Sequence, residues 1–162
     1  MKVQLFLENA RFLREKFGIV PLLYGSLGLE YRTGKDLGAD DIDILIPGVF
    51  LRERWRALQT ALEEGGYVLT DAHEHTFEKN NVSYSYAELE DLTPFAGIDL
   101  AEIPTLEEQG VRFSVLTLSQ YLQVYTASSK DGYRIHVRQK KDGEKIAFLQ
   151  QILCGSKGTV LK

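Results

Sequence analysis

The apolar positions of the chain change period several times, and the changes outline its elements. Near the start, Leu5, Phe6, Ala10, Phe12, Leu13 and Phe17 recur at helical spacing and Gly18 follows as a stop, predicting an N-terminal helix. Residues 19–24 form an apolar run of strand length, in which Pro21 marks an edge or a strand start. Gly25-Ser26-Leu27-Gly28 then reads as a strand feeding a short helix or loop, and residues 32–40 as a loop carrying Gly34, Gly38 and charges. The clearest strand is Asp41-Ile42-Asp43-Ile44-Leu45-Ile46, which Pro47-Gly48 ends. Residues 50–65 predict an amphipathic helix with Leu51, Trp55, Leu58 and Leu62 on one stripe and Gly65-Gly66 at its close.

Tyr67-Val68-Leu69 reads as a short strand. Residues 75–78 and 82–87 alternate on either side of Lys79-Asn80-Asn81, a hairpin signal because asparagine tolerates positive φ. Residues 96–108 read as irregular with a short helical turn, and 112–116 as a last strand. Two helices close the pattern, over 118–127 with Leu118, Tyr121, Leu122 and Tyr125 on one side, and over 142–153 with Ile146, Leu149, Ile152 and Leu153 inward. The order predicts an α+β fold: a mixed β-sheet flanked by helices, with C-terminal helices. The 162 residues suit one domain, with a helical segment over about 117–155.

Composition narrows the classes. The chain is 44% hydrophobic and 26% charged, enough apolar material for a core. A net charge of −4 weighs against wrapping extended nucleic acid. A local basic run, Lys130, Arg134, Arg138, Lys140, Lys141 and Lys145, reads either as a solvated face or as a clamp for phosphate. The single cysteine, Cys154, allows no internal disulfide and has no metal-ligand spacing, so a reducing cytoplasm is the expected home. No stretch has the length to cross a membrane, and the charged N-terminus does not read as a signal peptide.

The chemistry lies in the acid-bearing strand. Side chains alternate along a strand, so Asp41 and Asp43 point one way and Ile42, Ile44 and Ile46 the other. Two carboxylates so close repel unless a cation lies between them. Magnesium suits the place, since it takes oxygen ligands, often one or two carboxylates plus substrate phosphates. A bare D-x-D is more often a solvent-facing strand start. Gly25-Ser26 adds the missing half: glycine lets an anion approach the backbone, the amides after it bind phosphate, and the hydroxyl adds a hydrogen bond.

A strand, Gly25-Ser26, a loop and then Asp41 and Asp43 on a second strand resembles the nucleotidyltransferase superfamily. The charged loop, the D-I-D-I strand, Gly66-Tyr67, the hairpin and the Lys141-Asp142-Gly143-Glu144-Lys145-Ile146 element look similar to the small antibiotic-type enzymes, the lincosamide nucleotidyltransferases in particular. Lys145 departs from that element, where the family has aspartate. The resemblance implies Mg2+ held by Asp41 and Asp43, a nucleoside triphosphate such as ATP with its phosphates on Gly25 and Ser26, and transfer of the nucleotidyl group to a hydroxyl of a small molecule or protein. Lys130, Arg134 or Lys141 would steady phosphate charge. It also implies a third acid on a later strand, to bind a second metal or take the acceptor's proton; Glu88, with apolar neighbours, is the first choice and Glu90 the second, and the same cluster also reads as a solvated strand end.

Other candidates weigh less. His73 and His75 would share a strand face, but no third metal ligand accompanies them. Tyr84, Tyr86, Tyr121, Tyr125 and Tyr133 read as base-stacking rings or as core with a polar tip. Three further readings stay open beside the transferase: a non-catalytic nucleotide-binding or regulatory protein on the same fold, a toxin-antitoxin component that modifies tRNA or protein, and a plain structural domain. The acceptor, the preferred nucleotide and the oligomeric state are not written in the sequence.

Overall fold

A computed structural model describes residues 2–130 and 144–153. The chain divides into two compact units, Met1–Glu90 with Ile103–Leu116, and Asp91–Glu102 with Thr117–Lys162.

The first unit is built on a seven-stranded mixed sheet. In chain order its elements are α1 (Lys2–Phe17), β1 (Leu22–Tyr24), α2 (Gly25–Thr33), β2 (Ile42–Ile46), α3 (Trp55–Glu64), β3 (Val68–Asp71), β4 (Thr76–Lys79), β5 (Val82–Glu88), β6 (Thr105–Glu108) and β7 (Val111–Val115). The strands lie in the order β3-β4-β5-β2-β1-β7-β6. β1 runs antiparallel to β2 and parallel to β7, and β2 runs parallel to β5. The outer pairs β3–β4, β4–β5 and β6–β7 are antiparallel. The edges are therefore β3 and β6, four residues each, and β3 carries a register shift between Leu69 and Asp71.

Pairing register sorts the side chains. Leu23, Ile44 and Tyr86 are successive partners across β1, β2 and β5, and all are buried. Their face also carries Ile42, Ile46, Tyr84, Phe77, Phe113 and Val115. Phe6 of α1 meets Phe113 edge to face at 5.4 Å, and Leu58 and Leu62 of α3 are fully buried. Pro21, just before β1, has no N–H to lose, and its carbonyl accepts from Ser114 at 2.9 Å. Within this core Asn9 is completely buried and donates to the Tyr67 hydroxyl at 3.0 Å. Among the described residues, neither the buried Asn9 Oδ1 nor the buried Tyr86 hydroxyl has a hydrogen-bond partner.

The expected helix over 50–65 is two pieces: a 3-10 turn at Gly48–Leu51 and then α3. The stretch read as irregular holds β6, and the hairpin with β7 turns on Gln109 and Gly110, both at positive φ.

The second unit holds α4 (Leu92–Ala96) and α5 (Leu118–Lys130), and residues 144–153 are helical. Thr117 and Gln120 form a reciprocal cap at the start of α5: the Thr117 N–H donates to the Gln120 side chain at 2.9 Å, and the Gln120 N–H to Thr117 Oγ1 at 3.1 Å. Tyr121 and Tyr125 are buried and stacked at 6.0 Å.

Candidate functional site

β1 passes into α2 without a linker, because Gly25 turns the chain at φ +66°. Only glycine adopts that region freely. Tyr24, the last residue of β1, is the ladder partner of Asp43, so the start of α2 lies beside the Asp43 side chain. A Cβ built on Gly25 would overlap the Asp43 carboxylate, with Cγ at 3.1 Å and Cβ at 3.2 Å. The carboxylate thus rests against the first residue of a helix whose N-terminal amides carry partial positive charge. Ser26, the second residue of α2, is half-buried at the same place.

Asp41 lies one residue outside the ladder, in a bend directly before β2, and is exposed. The loop leading to it is tied to α2: Glu30 Oε2 accepts from the amides of Leu37 at 2.7 Å and Ala39 at 3.0 Å.

On the Asp43 face, the register continues to Ser85 of β5 and Thr76 of β4, whose hydroxyl oxygens are 2.8 Å apart. Asp43, Ser85 and Thr76 form a polar row over three strands, opposite in direction to the buried isoleucine face. Sequence reading missed Ser85; its only signal was the Ser-Tyr alternation of 82–87.

Glu88 is not in that row. It pairs with Ile46 and so falls on the isoleucine face, three rungs beyond Ser85. Its carboxylate is 2.5 Å from the Arg52 guanidinium, and by accepting that hydrogen bond it makes Arg52 keep its own proton more tightly. Glu90 accepts from the Gly48 amide at 2.8 Å. Both acids expected near the metal are therefore engaged around Gly48, at the far end of β2. The residue beside Asp43 on β5 is a hydroxyl instead.

Of the cationic candidates, Lys130 is the last residue of α5, and Arg134 and Lys141 lie outside the described residues. His75 packs edge to face on Trp55 at 4.7 Å, and His73 is exposed beside Glu74. Among the described residues no group of three His, Cys, Asp or Glu is placed to hold a metal. Tyr84 and Tyr86 are core rings. Burial pushes the Tyr84 phenol up to about 12 and Tyr86 well above its ordinary value. Among the described residues no helix is long and apolar enough to cross a membrane.

No protein-family model matches the chain. Solved structures share its architecture. A crystal structure of an antigenic nucleotidyltransferase-like protein from Paracoccidioides brasiliensis matches with a TM-score of 0.62 at 12% identity, over 92% of this chain and 75% of that one. The complex of ANT(2")-Ia with adenylyl-2"-tobramycin matches with a TM-score of 0.56 at 16% identity, over 99% of this chain and 94% of that one. The solution structure of the same antibiotic-resistance factor gives 0.51 at 15% identity, over 98% and 95% of the two chains. At such identities the likeness is one of fold, and the fold is nucleotidyltransferase-like; nothing in it singles out the lincosamide enzymes. One similarity reaches the sequence itself: "Uncharacterized protein YnaI" of Bacillus subtilis (strain 168) is 41% identical over 148 residues, 91% of this chain and 95% of YnaI. On that identity, over nearly the whole of both chains, the protein belongs to the YnaI family.

Proposed function

We propose that the protein binds a nucleoside triphosphate with magnesium where α2 meets Asp43, and transfers the nucleotidyl group to a hydroxyl of a small molecule or protein. One observation carries the reading: Gly25 is packed so closely on Asp43 that a side chain there would fill the space beside the carboxylate. Anion donors and a cation ligand thus share one corner of the fold, as a magnesium-bound triphosphate requires.

The residues fit the metal. Asp41 and Asp43 would hold it with oxygen donors alone, which suits a hard cation. When bound, magnesium would neutralise charge on the phosphoryl group being transferred. The first amides of α2 and the Ser26 hydroxyl bind phosphate oxygens. Asp43 is held in the sheet between Tyr24 and Ser85, so its direction is set before ligand arrives. The complex of ANT(2")-Ia with adenylyl-2"-tobramycin supports ATP as donor and a hydroxylated small molecule as acceptor, in line with the antibiotic-type resemblance of the sequence.

A second reading is favoured by Ser85. With Ser85 where a third acid would stand, β5 offers a hydroxyl rather than a carboxylate beside Asp43, and its one acid, Glu88, lies on the other face, away from an acceptor's proton. Such a protein would bind nucleotide and magnesium without turnover.

Calorimetry with the four nucleoside triphosphates and magnesium tests the common part. Binding that needs the ion, and that Asp41→Ala and Asp43→Ala each abolish, is expected. No heat with any nucleotide would end both readings. Release of pyrophosphate in the presence of small hydroxylated acceptors separates the transferase from the binder.

A further inference from the structure

The two halves of the proposed site belong to different elements. Gly25 and Ser26 open α2, whereas Asp41 lies at the end of the eight-residue connection 34–41 between α2 and β2. An exposed connection of that length samples many conformations unless it is tied. Local bonds fold it: the Lys35 N–H donates to Thr33 Oγ1 at 3.2 Å and the Gly38 N–H to Asp36 Oδ1 at 2.9 Å. Neither tie links the connection to the body of α2 near the site.

Glu30 does. It sits on α2 five residues after Gly25, half-buried, and one carboxylate oxygen accepts from both Leu37 and Ala39. Carboxylate acceptors make the stronger class of hydrogen bond to backbone amides. Ala39 is thereby tethered to α2 and Ile42 to the sheet, which leaves only Asp40 and Asp41 between the two anchors. The helix itself is braced, because Arg32 donates to the carbonyls of Leu116 at 3.0 Å and Val115 at 3.2 Å at the end of β7.

We propose that Glu30 is a positioning residue: its carboxylate holds the 34–41 connection against α2 so that Asp41 stands across from Gly25 and Ser26 beside Asp43. The proposal rests on the metal-nucleotide reading of that corner. Glu30 touches no ligand in this role. It acts by removing the freedom that Asp41 would otherwise lose on binding.

The test uses the full chain, with Mn2+ as the probe, its affinity read by electron paramagnetic resonance, and amide exchange followed at Leu37 and Ala39. Three variants separate the causes. Glu30→Ala removes the acceptor. Glu30→Asp keeps the charge but shortens the reach. Glu30→Gln keeps an acceptor oxygen at the same reach without the charge. Glu30→Ala and Glu30→Asp are expected to speed exchange at both amides and to weaken Mn2+ binding by about 5- to 30-fold, the factor that corresponds to ordering roughly one residue's backbone. Glu30→Gln is expected to fall between wild type and Glu30→Ala, because it keeps an acceptor at the same reach but makes the weaker, uncharged bond.

Wild-type Mn2+ affinity that survives in both Glu30→Ala and Glu30→Asp would overturn the positioning role and leave the site standing. Glu30→Gln as weak as Glu30→Ala would overturn it too, since charge rather than hydrogen-bond reach would then be the cause. A wild-type protein that binds no Mn2+ would remove the site itself, whatever the variants do.

Discussion

Gly25→Ala perturbs two things at once, and their magnitudes can be separated. The new residue would have to hold φ +66°, a conformation that costs an L residue about 1–2 kcal/mol. Its Cβ would also overlap the Asp43 carboxylate and lie 3.2 Å from the Asp43 Cβ, which the β2 ladder holds in place. Overpacking of that kind costs about 1–3 kcal/mol. The expected total of about 2–5 kcal/mol lowers the thermal midpoint by on the order of 5–15 °C for a chain of this length. Gly18→Ala supplies the control, because Gly18 has φ +70° but open space around a built Cβ. It should lose only the conformational part, about 1–2 kcal/mol. Chemical denaturation of the two variants measures the difference, and calorimetry with magnesium and ATP measures the site. Gly25→Ala should lose nucleotide binding while Gly18→Ala keeps it. Equal stability losses and unchanged nucleotide affinity in both would refute the argument that the Gly25–Asp43 contact builds the site.

Ser85→Asp would place a carboxylate beside Asp43 on the same face; Mn2+ affinity is expected to rise by about tenfold, as added ligand charge tightens such sites, and a variant that folds but binds no better would show that β5 does not border the metal position. Glu88→Gln should leave nucleotide affinity within about twofold because the residue lies on the other face, and loss of binding in a folded Glu88→Gln protein would restore Glu88 to the site. Asn9→Ala strands the buried Tyr67 hydroxyl and should cost about 1–3 kcal/mol by denaturation, whereas Asn9→Leu with Tyr67→Phe should recover most of it; no recovery would mean that the packing around Asn9, not its hydrogen bond, matters. Burial raises the Tyr84 phenol from 10.0 to about 12, and raises Tyr67 and Tyr86 in the same direction. Above pH 10 the unfolded chain sheds those protons while the folded one keeps them, so stability is complete below pH 10 and declines towards pH 12; a denaturation midpoint that stays flat across that window would contradict it.

What the sequence revealed and what it hid follow from the range of each interaction. The β4–β5 hairpin was readable because Asn80 and Asn81 tolerate the φ of 54° and 67° that its turn needs. The β6–β7 hairpin turns on Gln109 at φ 54°, and glutamine signals no such turn. The break between the 3-10 turn and α3 was invisible because Leu51, Leu58 and Leu62 all face the core, so the apolar period runs across it. Alternation within one strand was enough to set Asp43 against the isoleucines. The face presented by Glu88 was not readable in that way. It depends on the parallel register of β5 on β2, strands separated by a helix and two other strands, and a slip of one residue would reverse it.

The two outermost strands have a bearing on how the molecule behaves in a crowd. An unpaired row of backbone N–H and C=O groups invites another copy to dock and extend the sheet. β3 is short, kinked by its register shift and finishes on Asp71, while β6 is equally short and finishes on Glu107 and Glu108. Each rim therefore offers few rungs and a like charge to an identical neighbour. Concentrated protein should resist strand-by-strand polymerisation, and neutralising Glu107 would be the first step towards losing that protection.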